Sequence, residues 1–92
     1  MKIFVRGISD KFVKGELKAI IREYCEYESV YARADFSKKG NLKGVKIYPV
    51  GSMMLIGYIS YDVVSGKPTS YALINRRQVV KTYVLKEGRY FL

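Results

Sequence analysis

The segment Val13–Tyr24 repeats its apolar residues with the period of a helix, and the chain on either side of it alternates as strands do. Val13, Leu17, Ile20, Ile21 and Tyr24 follow one another at spacings of four, three, one and three, which gathers them on one face of a helix. Lys14, Lys18, Arg22 and Glu23 take the other side, and the helix runs to about Cys25. Ser9 or Asp10 stands in front, able to accept the free backbone N–H groups at a helix start. Gly15 weakens the first turn, so the regular helix is expected to begin nearer Glu16. A helix with a single apolar face needs a partner layer, and a sheet is the layer that the rest of the chain can supply.

Lys2–Ile8 alternates β-branched and aromatic residues before Gly7 and Ser9-Asp10 mark its end, and it reads as a first strand. Val30–Phe36 alternates again. Ser37–Asn41 is a turn by composition, with Gly40 and Asn41 able to take positive φ. Leu42–Val50 and Met53–Val63 read as two strands separated by Gly51-Ser52, the first of them ending at Pro49 or lying at a sheet edge. Ser65–Ser70 is a loop. Tyr71–Gln78 admits two readings: a short helix capped by Thr69 or Ser70, which is preferred, or a strand turning at Asn75. Val79–Lys86 is a further strand, Glu87-Gly88 a turn and Arg89–Leu92 a short tail. With no repeat, linker or low-complexity tract, residues 1–92 are expected to form a single α+β domain, an antiparallel sheet with one or two helices on one face.

Charge narrows the function. The chain carries 17 Lys plus Arg against 8 Asp plus Glu, a formal charge of +9. Residues 1–35 are nearly balanced, with seven basic and six acidic side chains, whereas residues 36–92 hold ten basic and only two acidic ones, Asp62 and Glu87. A one-sided positive field attracts polyanions; solubility alone has no need to segregate charge. Histidine is absent, which removes the usual general base near neutral pH and every Ser-His-Asp or Cys-His constellation. One cysteine, Cys25, allows no internal disulfide and, without histidine, no zinc ligand set. The glycines never form a phosphate-cradling loop. The expectation is a binding protein without catalysis, metal or cofactor. The longest apolar run, Met53–Ile56, is far short of a membrane span of ~20 residues, and Met1–Ile8 lacks the features of a signal peptide. A cytoplasmic location, in its own cell or in a host cell, follows as an expectation.

Ile3-Phe4-Val5-Arg6-Gly7-Ile8 is similar to the first-strand signature of the RNA-recognition motif, with Gly7 where that family usually has Asn. The similarity continues through Glu16–Tyr24, at the family's first helix, and through Glu28-Ser29-Val30, and covers about residues 3–33. Further on, Lys43-Gly44 resembles the opening of the third-strand signature, but Val45 and Ile47 stand where stacking aromatics are expected. Gly57-Tyr58-Ile59-Ser60-Tyr61 fits the second half of that signature and lacks its opening. The resemblance implies a ferredoxin-like βαββαβ fold; the second of these frames requires an extra hairpin around residues 38–52 before the third strand and leaves Ser70–Gln78 as second helix and Val79–Lys86 as fourth strand.

That fold would set Phe4 and Tyr58 side by side on the open face of the sheet, where exposed aromatics stack bases. Arg6, Lys81 and Tyr83 would flank them. Lys38, Lys39 and Lys43, with Lys46 just beyond, would reach for phosphates from the loop, and Arg76 and Arg77 from the second helix. Each has a plainer use: Phe4 in packing, the lysines as a solvated turn, the arginines as a helix exterior. Tyr58 and Tyr61 point to opposite faces, so one of them belongs to the core. The leading expectation is a single-stranded nucleic-acid-binding module, RNA ahead of DNA. The alternative is a small viral or mobile-element protein that inhibits a host nucleic-acid enzyme through a basic, Tyr-rich face. A third is an assembly protein that pairs through a sheet edge.

Overall fold

The structure, a computed structural model, describes residues 1–85; the expected turn at Glu87-Gly88 and the tail Arg89–Leu92 lie outside the described residues. The elements are β1 (Lys2–Arg6), α1 (Lys11–Tyr24), β2 (Ser29–Phe36), β3 (Leu42–Pro49), β4 (Gly57–Tyr61), β5 (Pro68–Asn75) and β6 (Gln78–Val84). Among the described residues all the strands join one sheet in chain order, with β1 and β6 at its edges. β1 runs parallel to β2, and every later neighbour is antiparallel. A parallel pair needs a crossover, which α1 provides; antiparallel pairs need only a turn.

The helix begins at Lys11, earlier than the glycine suggests, because Asp10 caps it. One Asp10 carboxylate oxygen accepts the N–H groups of Phe12 (2.8 Å) and Val13 (3.0 Å). Leu17, Ile20 and Ile21 are fully buried against the sheet. There they meet Val30 and Ala32 of β2, Val45 and Ile47 of β3, Ile59 and Tyr61 of β4, and Tyr71 of β5. These strand residues occupy alternate positions, as one face of a pleated sheet requires. The core is thus a two-layer contact between one helix and one face of the sheet.

Two expectations fail. Tyr71–Gln78 is not a helix but most of a hairpin: β5 runs to Asn75, and Asn75 pairs with Gln78 across the two-residue turn Arg76-Arg77. Tyr71 and Leu73 reach the core by alternation, and the β-branched run after Gln78 suits a strand partner. Both arginines take positive φ, 52° and 66°. That is the geometry a tight two-residue hairpin demands, and it costs a residue with a Cβ about 1–2 kcal/mol. The ferredoxin-like order is also not adopted among the described residues. Without a second crossover helix, each strand after β2 is joined by a short connection and must lie beside its predecessor.

The strand expected over Met53–Val63 is shorter at both ends. The Ser52 hydroxyl accepts the N–H of Met54 (3.0 Å), turning the chain before β4. Asp62 does the same after it, accepting the N–H of Val64 (3.0 Å) and the hydroxyl proton of Ser65 (3.1 Å).

Candidate functional site

With α1 covering one face, the described residues leave the other face of the sheet open. The strand register arranges its side chains in rows across the strands. Phe4 pairs with Tyr31 and Tyr31 with Tyr48, an aromatic row over β1, β2 and β3. Two residues along, about 7 Å away, Arg6 pairs with Arg33, Arg33 with Lys46 and Lys46 with Tyr58, a row of three cations ending in a tyrosine. The next row holds Asp35, Gly44, Ser60 and Ser70. Neighbouring columns stand ~4.8 Å apart, so both leading rows fit within a patch about 10 Å wide over β1–β3.

The rows touch. The Phe4 and Tyr31 rings lie 5.4 Å apart between centroids, tilted by 41°, and the Arg6 guanidinium sits 5.4 Å from the Tyr31 ring centre. Phe4 is 46% exposed. The segment between β3 and β4 supplies a wall: Ser52 and Met53 join Arg6, Tyr31, Arg33 and Tyr48 around a groove of about 390 Å³. Met53, 95% exposed, contributes apolar surface.

Tyr58 serves a different purpose. Its ring lies across Gly44, where a Cβ would collide with it, and its hydroxyl donates to Asp35 (3.0 Å). Lys43 Nζ stands 3.9 Å from the same carboxylate oxygen. Burial, then the hydrogen bond and charge of Asp35, push the Tyr58 hydroxyl up to about 12. The hydroxyl, protonated at neutral pH like any phenol, therefore keeps its proton further into alkaline solution. Asp35 is thereby engaged by one hydrogen bond and one ion pair, while Arg6 and Arg33 line the groove and Lys46 stands beside Arg33.

No protein-family model, curated protein or solved structure matches the chain. The side chains themselves therefore carry the functional argument.

The structure divides the sequence-predicted residues among four places. Phe4, Arg6, Lys46 and Tyr58 share the open face, but Phe4 on β1 and Tyr58 on β4 are separated by two strands and are not neighbours. Lys38 and Lys39 are exposed at the β2–β3 turn, with Lys43 beside them on Asp35, at the opposite end of the strands from the Arg76-Arg77 turn. Arg76 and Arg77 form that turn rather than a helix exterior. Lys81 and Tyr83 lie on the helix side: Tyr83 pairs with buried Tyr71 and packs on Tyr24 at 4.4 Å, and Lys81 Nζ sits 4.9 Å from the Tyr83 ring centre. Of Tyr58 and Tyr61, it is Tyr61 that belongs to the core. Tyr31, Arg33 and Tyr48 were missed. Their signal was parity: Tyr31 and Arg33 alternate with Val30 and Ala32, and Tyr48 follows Ile47.

Among the described residues no cluster of His, Cys, Asp or Glu could hold a metal ion, and no helix is long and apolar enough to cross a membrane.

Proposed function

We propose that the open face binds single-stranded nucleic acid, RNA ahead of DNA, with the bases over Phe4, Tyr31 and Tyr48 and the phosphates along Arg6, Arg33 and Lys46. The observation that carries this reading is the placement of an aromatic row beside a cationic row at adjacent register positions of one uncovered sheet face. A single strand offers the complementary pattern, flat bases on one side of a charged backbone. Each aromatic stack supplies roughly 1–3 kcal/mol and accepts any base, so sequence preference is weak. The 10 Å patch suits a single strand rather than the width of a duplex.

Fluorescence anisotropy of a labelled oligouridylate at low and physiological salt, with duplex DNA as competitor, tests the reading. Binding at micromolar concentration or below that survives physiological salt and resists the duplex supports it. Phe4→Ala and Tyr48→Ala each weaken binding by roughly 5- to 150-fold, the equivalent of one lost stack. Binding that vanishes with salt, or does not respond to loss of either ring, removes the stacking mechanism and leaves the basic face to an acidic protein surface.

A further inference from the structure

The groove beside Arg6 and Arg33 does not end at β3. Tyr48 and Met53, which form its far wall, are also the near wall of a second depression of about 570 Å³, which continues over Met54 and Ile74 to Arg76 and Arg77. The two depressions share one ridge, and each is lined by a pair of arginines. The second pair sits in the least comfortable backbone positions of the described chain. Arg76 and Arg77 are its two non-glycine residues with positive φ, at a turn where Asn-Gly would fit without strain. Strained residues cluster at binding sites, and both arginines line the second depression.

We propose that Arg76 and Arg77 form a second phosphate contact on the same single-strand path. The strand then crosses the β-strands from Arg6 and Arg33, over the Tyr48–Met53 ridge, to the β5–β6 turn. This rests on the nucleic-acid reading of the open face and deepens it by fixing the direction and extent of the ligand. From β2 to β5 is three strand spacings, about 14 Å, so a ligand must be several nucleotides long to reach both pairs. The ridge offers one ring, Tyr48, and one flexible thioether, Met53, for the intervening base. Charge selects the occupant, because the named lining of both depressions carries arginines and no carboxylate.

The test compares a trinucleotide with an oligouridylate of about ten nucleotides on the wild type and on two double variants. Arg76→Asn/Arg77→Gly relieves the turn and removes the charge, whereas Arg76→Gln/Arg77→Gln removes the charge and keeps the strain. Both variants are expected to lose about tenfold in affinity for the long oligonucleotide, with a log–log salt slope shallower by ~1.4, and to bind the trinucleotide as the wild type does. Unchanged affinity of both variants for the long oligonucleotide overturns the extended path while leaving the open-face reading standing. Loss in the Asn-Gly variant alone also overturns it, since turn shape and not charge would then be responsible. A wild type that binds neither oligonucleotide overturns the parent reading and this path with it.

Discussion

Single residues carry the sharpest tests. Gly44 is held small by Tyr58, so Gly44→Ala must push the ring off its seat. We expect a loss of about 1–3 kcal/mol in chemical denaturation and release of the Tyr58 hydroxyl from Asp35, visible as a lower tyrosine titration midpoint. The Arg76-Arg77 turn behaves in the opposite sense: Arg76→Asn with Arg77→Gly stabilises the fold by about 1–2 kcal/mol or more. Glu16 is buried within α1, and one of its oxygens, Oε2, has no hydrogen-bond partner. Burial pushes its carboxyl up from the usual value, and the positive charge of Lys67 only partly opposes this. The native chain therefore keeps that proton to higher pH than the unfolded chain does. Stability falls as pH rises from the unfolded value through the raised folded value. Glu16→Gln is expected to raise the melting temperature at neutral pH and to leave it unchanged in acid below that window. Equal gains at both pH values would disprove the assignment.

Among the elements, α1 was the most legible, because its apolar spacing and its capping aspartate agree. Asp10→Ala should cost about 1 kcal/mol, read from thermal or urea unfolding. The early strands and the Ser37–Asn41 turn were legible for the same reason, since alternation and turn residues coincide there. Tyr71–Gln78 was not. Its apolar residues satisfy a short helix as well as a strand, and the choice was made by β6, which only tertiary structure places alongside. The partners Tyr31, Arg33 and Tyr48 were hidden for a related reason. Alternation along one strand says which residues share a face, but not which strands stand side by side, and a one-residue change of register reverses the face. Lys81 and Tyr83 were lost to that ambiguity. β6 has a further property: it is an outer edge among the described residues and exposes Val79, Val80 and Val84. Such an edge invites pairing with another chain. Val80→Lys is expected to reduce concentration-dependent light scattering with little change in melting temperature.

At the scale of the molecule, one helix covers one side of the sheet and leaves the row Arg6, Arg33 and Lys46 on the other. The three cations of the middle row predict a log–log salt slope of about −2 for a single strand held on β1–β3, and each substitution Arg33→Ala or Lys46→Ala should flatten it by ~0.7. The excess of positive charge was plain in the composition, but which cations share the uncovered face follows only from the strand register. The manner of assembly follows from the connections. β2 to β6 are joined by short turns, whereas β1 pairs with β2 only across the full length of α1 and so closes the longest loop between neighbouring strands. Phe4 and Arg6 therefore stand on the edge column whose pairing closes that longest loop. Amide exchange should open β1 before the central strands, so the contacts proposed for Phe4 and Arg6 would be lost while the interior is still intact.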